Sequence, residues 1–233
     1  MLLYIHDECI ERGYTMPRNK YPEETRKKIL DAGFRTFQEK GYEASTILDI
    51  VANTNGLTRG AFYHHFKSKE DVLWAVCESY FQANNPFEKV LDMKNLNGLE
   101  KLQTAMKANL TEQIDVPAEF DFLREISAQL NDSPQFFMWQ MKFNASVSQK
   151  YVLPIMIEGI ADGSIKEQDP LILSELFVVL FSFWMGSGLF HGDVEYVGKK
   201  ALAIDEILEL FGLNIFDEEL EEIGMEWIET IGE

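Results

Sequence analysis

Cysteine and histidine are scarce in this sequence. Its 233 residues include two cysteines, Cys9 and Cys77, and four histidines. Two cysteines cannot form a zinc cluster, and they do not indicate a disulfide framework. We therefore expect a protein of the reducing cytoplasm that holds no metal, in which Cys77 is a small buried hydrophobic residue.

Long apolar runs are also missing. The longest run in the C-terminal third, residues 176–185, is interrupted by Ser182 and bounded by Glu175 and Gly186. A membrane-spanning helix needs roughly 20 consecutive apolar residues. The run is therefore predicted to be a buried core helix, and no membrane partner is expected.

Catalytic motifs are absent as well. The sequence has no phosphate-binding glycine loop, no nucleophile motif and no metal-ligand spacing. His191 stands alone at the end of a predicted helix, where a capping or solvent-facing role is expected. We expect no catalytic residues, no cofactor and no enzymatic activity.

The distribution of charge is uneven. The chain has 39 acidic and 21 basic residues, a net charge of −18, which by itself argues against a nucleic-acid partner. Residues 17–70, however, contain ten basic and seven acidic residues and so carry +3, which leaves −21 for the remainder. A basic N-terminal part on an acidic body would present one face to DNA, although a general asymmetry of solvated charge explains the composition equally well.

Short helices with clear start signals are predicted near the N-terminus. Residues 23–40 have an apolar face with helical spacing, and Gly41 is suited to end that helix. Three capping residues then mark helix starts: Thr46 with Asp49, Thr58, and Ser68 with Asp71. The helices that they open are predicted to end near residues 53–56, 66 and 84.

Two of these helices, separated by a tight turn with a glycine, form a helix-turn-helix arrangement. The second helix of such a pair is a candidate reader of the major groove. Gly60 and Ala61 would let the backbone approach base edges, and Arg59 could reach a guanine or a phosphate. The spacing alone fits a plain helical hairpin with a surface histidine pair equally well.

Residues 41–73, GYEASTILDIVANTNGLTRGAFYHHFKSKEDVL, resemble the DNA-binding part of the tetracycline-repressor (TetR) family. The similarity covers roughly residues 22–81. The residues that carry it are Gly41, Tyr42, Thr46, Asp49, Ile50, Gly56, Leu57, Thr58, Gly60, Ala61, Phe62, Tyr63, His65, Phe66, Ser68, Lys69 and Glu70. One departure is an additional residue between Ile50 and Gly56, which predicts a longer turn or a bulged helix.

The resemblance implies that residues 59–66 form the recognition helix. Residues expected to face bases are Arg59, Gly60, Ala61 and His64. Those expected to hold phosphates are Thr46, Thr58, Tyr63, His65 and Lys69. Phe62 and Phe66 are expected to lie in the core. His64 and His65 do not form a metal pair, because adjacent helical residues point about 100° apart.

The rest of the chain is predicted to be helical, so the fold class is all-α. The predicted helices are 96–114, 119–131, 134–160, 170–190, 195–211 and 217–231. We predict three parts: an N-terminal extension (1–16), a three-helix helix-turn-helix DNA-binding domain (17–83), and a helical bundle for effector binding and dimerisation (84–233).

The resemblance further implies a homodimer and a small-molecule effector. The dimer interface would be a four-helix arrangement built by helices 170–190 and 195–211 of each subunit, although an apolar stripe there could equally be the core of one subunit. A pocket in the body would take a small apolar or amphipathic effector. Its candidate lining residues are Met106, Phe120, Phe122, Phe137, Met141, Phe183 and Trp184.

The expected function is therefore that of a sequence-specific transcriptional regulator. We expect a dimeric repressor that an effector releases from a two-fold operator in double-stranded DNA. The alternative is an architectural or protein-regulated DNA-binding factor, or an activator, that has no small-molecule effector. An enclosed pocket in the body would favour the first of these.

The first fifteen residues are predicted to be dispensable. They show no caps and no periodic pattern matched to the segment that follows, and Met16 offers a second start. A protein that begins at Met16 should fold and bind DNA like the full chain, as measured by thermal unfolding and by titration with an operator. Loss of folding or of binding would contradict this.

Overall fold

Helices make up the regular structure of this protein. A computed structural model describes residues 22–114, 133–185, 190 and 193–232, and no strand occurs in those ranges. The helices are α1 (Pro22–Lys40), α2 (Ile47–Ala52), α3 (Arg59–His65), α4 (Lys69–Asn84), α5 (Pro86–Leu91), α6 (Gly98–Ile114), α7 (Pro134–Val147), α8 (Leu153–Asp162), α9 (Pro170–Val178), α10 (Val194–Leu210) and α11 (Glu218–Gly232). The all-α prediction is confirmed. The predicted extension 1–16 and helix 119–131 lie outside the described residues.

The N-terminal helices begin at the caps that the sequence predicts. Thr46 and Asp49 form a reciprocal capping box at α2. The hydroxyls of Thr58 and Ser68 accept hydrogen bonds from backbone N–H groups at the starts of α3 and α4. Gly41, with a φ of 74°, follows the last residue of α1.

The sequence did not predict α5. The side-chain oxygen of Asn85 accepts hydrogen bonds from the N–H groups of Phe87 and Glu88, and Pro86 occupies the first turn. The sequence predicts only that α4 ends near residue 84, just before Asn85 and Pro86. They also start a new helix, because the same asparagine and proline that stop one helix can cap the next.

Two long predicted helices contain π-helical turns. Residues Ser148–Val152 form such a turn between α7 and α8, and Val179–Met185 form another after α9. The Ser148 hydroxyl donates to the Ser174 hydroxyl over 3.2 Å in the buried space between these two helices. Phe190, which was predicted to be helical, lies in a bend. The periodicity of apolar residues cannot distinguish a π-helical turn from an α-helix, since both bury one face.

Two buried clusters organise the helices. The first lies among α1–α4 and includes Ile29, Phe37, Ile50, Phe62 and Leu73. The second lies among α5–α11 and includes Leu102, Ile155, Met156, Phe177 and Ile204. α4 contributes to both, because Val72, Leu73 and Val76 belong to the first while Phe81 packs against the second. We refer to α1–α4 as the head and to α5–α11 as the body.

None of the described helices combines the length and the apolar character that crossing a membrane requires.

The start of α6 lies directly against α8. A methyl group on Gly98 would come within 2.3 Å of the backbone of Gly159 and 2.9 Å of the carbonyl oxygen of Ile155. The N–H of Gly98 also donates to the carboxylate of Asp162 over 2.8 Å. Backbone atoms cannot rotate away as a side-chain end can, so this contact requires glycine.

Replacing Gly98 should therefore destabilise the body. We expect Gly98→Ala to lower the free energy of unfolding by about 1–3 kcal/mol, because the overlap forces two helices apart. The control is Gly224→Ala on α11, where an added methyl group meets no atom within 4 Å. Because alanine favours the helix more than glycine does, this variant should raise the free energy of unfolding by at most ~1 kcal/mol. Urea unfolding checks both, and a Gly98→Ala protein as stable as the parent would contradict the packing argument.

Candidate nucleic-acid interface

The turn between α2 and α3 sets the angle of the helix-turn-helix. Asn55 and Gly56 have φ values of 55° and 116°, which reverse the chain after α2 ends at Ala52. Glycine adopts this region without strain and asparagine tolerates it. The guanidinium of Arg35 on α1 donates to the carbonyl of Asn53 over 3.1 Å, which ties the turn to the first helix.

α3 has one apolar and one polar face. Phe62 and the following Phe66 are buried in the head core, as predicted. Arg59, Gly60, Tyr63 and His64 lie on the exposed side, and the Tyr63 side chain is 48% exposed. Since residues three and four apart share a helix face, Gly60, Tyr63 and His64 form one continuous surface.

The residues predicted to face bases lie together on α3. Arg59 and Gly60 occupy its first turn, and His64 follows one turn later. A methyl group on Gly60 would meet only the Thr58 hydroxyl, at 3.7 Å, so this surface is low and open. Ala61 is half-buried. The exposed edge of α3 thus offers a cation, an imidazole and a stretch of bare backbone.

The two threonines predicted to hold phosphates already cap helices. The Thr46 hydroxyl donates to the carboxylate of Asp49 over 2.7 Å, and the Thr58 hydroxyl accepts from the N–H of Ala61 over 3.2 Å. Both residues are exposed. Of the other candidates, Tyr63 is exposed and His65 is half-buried at the end of α3. Contact of these side chains with phosphate stays a prediction.

The first turn of α2 carries an ionised carboxylate, that of Asp49. Hydrogen bonds from the Lys40 ammonium and from Thr46 lower the pKa of Asp49 to about 2. The lysine comes from the last turn of α1, and the two charges form an exposed ion pair. Lys40 therefore balances an acidic charge that would otherwise repel a phosphate near the start of α2.

The Lys69 ammonium supports the loop between α1 and α2. It donates to the carbonyl oxygens of Tyr42 over 2.8 Å, Ser45 over 3.2 Å and Glu43 over 3.4 Å. It also lies 4.2 Å from the centre of the Tyr42 ring. The resemblance assigned Lys69 to phosphate binding, which stays a prediction. In the free protein this lysine closes a loop and joins it to the start of α4.

Tyr42 and Glu70 form a second connection between that loop and α4. The Tyr42 hydroxyl donates to the Glu70 carboxylate over 2.9 Å. Burial and this hydrogen bond raise the pKa of Tyr42. Burial also acts to raise the pKa of Glu70, but hydrogen bonds from its backbone N–H, Tyr42 and Ser68 outweigh it and leave that pKa below its usual value. The pair is therefore a neutral phenol bound to an ionised carboxylate.

From Trp74 onward, α4 contacts the body through aromatic rings. The Trp74 indole stacks on Trp139 of α7, with ring centres 5.1 Å apart and planes within 17°. The Trp139 indole N–H donates to the carboxylate of Glu78 on α4 over 3.2 Å. Phe81 meets Phe143 edge to face at 5.0 Å. No sequence pattern predicts these contacts, because the residues they join lie more than 60 positions apart in the chain.

The residues predicted to line an effector pocket have different environments. Met106 is buried in the body core, whereas Met141 is 41% exposed. The rings of Phe137 and Phe183 approach edge to face at 6.1 Å, and Trp184 is half-buried against the core. Phe120 and Phe122 lie outside the described residues. A surface groove between α4 and α7 has other lining residues, among them Phe81, Trp139, Lys142, Phe143 and Tyr151.

Cys77 and the histidines show no sign of metal chemistry in the described part of the chain. No group of three or more histidine, cysteine or acidic side chains lies close enough there to hold a metal ion. Burial raises the pKa of the Cys77 thiol to about 12. The thiol is therefore protonated and packs against the head core as a partly buried hydrophobic group.

Removing the Tyr42 hydroxyl should weaken the junction of the loop with α4. We expect Tyr42→Phe to lower the free energy of unfolding by about 1 kcal/mol near neutral pH, because Glu70 loses a hydrogen bond to its ionised form. The lowered pKa of Glu70 stabilises the fold above its ordinary value of 4.5, and this contribution is lost as the pH falls through the folded-state value. The difference from the parent should shrink in acid.

The matched control for this measurement is Tyr63→Phe, since the Tyr63 side chain is exposed on α3. Urea unfolding at several pH values compares the two variants. Two results would contradict the assigned role of Tyr42 and Glu70. One is an equal loss of unfolding free energy in the two variants, and the other is a loss in Tyr42→Phe that grows as the pH falls.

Comparison with known proteins identifies the head. Residues 29–76 match the family described as bacterial regulatory proteins, tetR family. The transcriptional repressor KstR2 of Mycolicibacterium smegmatis is 29% identical over 189 residues, which span 78% of this chain and 89% of that protein. The transcriptional regulator TtgW of Pseudomonas putida is 35% identical over 99 residues, or 42% of this chain and 69% of that protein.

Solved structures share the fold over most of the chain. A TetR-family regulator from Pectobacterium atrosepticum superposes with a TM-score of 0.56 at 24% identity, covering 84% of this chain and 98% of that one. RolR, solved in complex with resorcinol, gives a TM-score of 0.51 at 15% identity, covering 89% and 96%. Taken with the helix-turn-helix geometry, these matches lead to one conclusion: the chain belongs to the TetR family of DNA-binding transcriptional regulators.

Proposed function

We propose that this protein is a homodimeric repressor that places α3 in the major groove of a two-fold operator and is released by a small-molecule effector. The observation that carries the proposal is the exposed polar surface of α3, which lies opposite the buried Phe62 and Phe66. The relatives support it, because KstR2 is named a transcriptional repressor and RolR was solved with a small aromatic ligand.

Sequence preference comes from the first turn of α3. The Arg59 guanidinium can donate two hydrogen bonds to a guanine edge, which is the commonest specific contact in the major groove. Gly60 and Ala61 keep the backbone close to the bases, and His64 reaches the next base pair along. Thr46, Thr58, Tyr63, His65 and Lys69 hold the phosphates on either side and fix the register of the helix.

Dimerisation is supported by apolar side chains exposed on two late helices. Ile172 on α9 is 58% exposed and Leu202 on α10 is 69% exposed, and Val179 lies about two turns beyond Ile172 on the same side. Such side chains gain from burial against a second copy. A two-fold dimer also places two α3 helices on one duplex, where specificity depends on the spacing of the half-sites.

Release is proposed to act through α4. An effector bound in the body shifts α7, and the stacked Trp74 and Trp139 transmit that shift to α4. Movement of α4 displaces the loop that Lys69 and Tyr42 hold, and with it α3. A coupling of about 1–3 kcal/mol would change operator affinity roughly 5- to 150-fold.

The role of Arg59 is tested by selecting bound sites from random-sequence DNA. Arg59→Ala should cost about 1–3 kcal/mol at the preferred site and relax the preference at a single base position. The control is Lys67→Ala, an exposed cation just after α3 that is assigned no base contact, which should leave the preference at every base position unchanged. If the parent protein selected no sequence, the proposed function itself would be wrong.

Oligomeric state is tested by sedimentation velocity. The double variant Ile172→Asp with Leu202→Asp should be monomeric, because two carboxylates per subunit would be buried at the interface. Ile157→Asp on α8, a similarly exposed isoleucine outside α9 and α10, should leave the dimer intact. A parent protein that is monomeric at micromolar concentration yet binds its operator fully would contradict the dimer.

A further inference from the structure

Lys200 on α10 is a buried cation without a hydrogen-bonding partner. Its side chain is 6% exposed, and its ammonium makes no hydrogen bond in the described structure. The ring of Phe190, whose centre lies 5.8 Å from the nitrogen, is the aromatic group that it faces. An ammonium has three donors and loses its hydration on burial, so an unpaired one is strongly unfavourable.

Lys200 lies on the face of α10 that packs against the core. Val197, Ile204 and Leu208 are buried on the same face, whereas Lys199 and Leu202 are exposed on the other. α10 also packs against the π-helical residues Val179–Met185, which include the half-buried Phe183 and Trp184. The ammonium therefore lies at a position where the periodicity of buried residues on α10 predicts an apolar side chain.

Three other lysines of the body have acidic partners. Lys101 binds Glu158, Lys107 binds Asp217 and Glu219, and Lys199, the neighbour of Lys200, binds Glu195. The chain contains 39 acidic residues, and none in its described part pairs with Lys200. An acceptor supplied from outside the subunit would satisfy this charge.

We infer that Lys200 binds the anionic group of the effector, a carboxylate joined to an apolar body. This inference rests on the proposed function, in which an effector enters the body. The apolar residues beside Lys200 on α10 and the aromatic residues of the adjoining π-helical turn suit a hydrocarbon or aromatic part. Away from water, a carboxylate bonded to the ammonium gains far more than it would at the surface.

The test compares carboxylates with their neutral amides. Octanoate, benzoate, octanamide and benzamide are titrated into the full-length parent by calorimetry, and thermal unfolding is followed in parallel. At least one of the two carboxylates should bind and raise the melting temperature, and its amide should bind about tenfold to a hundredfold more weakly. No binding by either carboxylate, or equal binding by acid and amide, would overturn the inference.

Three variants separate the role of Lys200 from general effects. Lys200→Met should abolish the preference for carboxylate over amide, Lys200→Arg should keep it, and Lys199→Met should leave it unchanged because that lysine is exposed and paired on the surface. Without any probe, Lys200→Met should raise the melting temperature, since it removes an unpaired buried charge. A fall instead would mean that the ammonium is already paired, and would contradict the inference.

Two further readouts identify other causes. If Lys200→Met dissociates the dimer and leaves carboxylate binding unchanged, the acceptor comes from the second copy and the inference is wrong. Operator affinity is measured with and without the carboxylate that binds. If that carboxylate binds through Lys200 yet leaves operator affinity unchanged, the anion site stands and the proposed release mechanism fails.

Discussion

The structure depends on α4 belonging to two cores at once. Its first half buries Val72, Leu73 and Val76 among α1–α3, and its second half packs Phe81 against the body. A rigid helix shared in this way cannot move in one core without disturbing the other, because packed interiors do not deform continuously. The connections of α4 are polar at its start, through Lys69 and Glu70, and aromatic between Trp74 and Phe81, through rings of α7. Each set of connections thus fixes α4 to a different partner.

The groups predicted to contact phosphate already have structural roles in the free head. Thr46 and Thr58 cap the helices whose starts would approach phosphates, and Lys69 closes the loop between α1 and α2. If these groups also contact DNA, binding exchanges an internal hydrogen bond for one to phosphate. Affinity for DNA would then depend on how firmly the head holds together in its free form. A shift of α4 that loosened the loop would weaken phosphate contacts along with the register of α3.

The sequence predicted the head better than the body for a physical reason. Caps such as Thr46, Thr58 and Ser68 act over three residues, so their pattern is visible along the chain, and all three were confirmed. The stacking of Trp74 on Trp139 and the bond between Tyr42 and Glu70 join distant residues, which no local pattern reveals. The π-helical turns escaped for a similar reason, since they keep the apolar periodicity of a helix. Lys200 was overlooked because a lysine in a helical sequence is ordinarily solvated.

The proposed release requires that α4 couples the body to the spacing of the two α3 helices. The most direct measurement is the distance between spin labels at Glu39→Cys in the two subunits, in a protein without Cys9 and Cys77, with and without operator DNA. On DNA we expect one narrow distance between the labels, set by the fixed separation of the half-sites. Without DNA, we expect the distance in Trp139→Ala to be shifted or broader than in the parent protein. The variant should also bind the operator more weakly than the parent. The same distances and the same operator affinity in Trp139→Ala and in the parent would contradict this coupling.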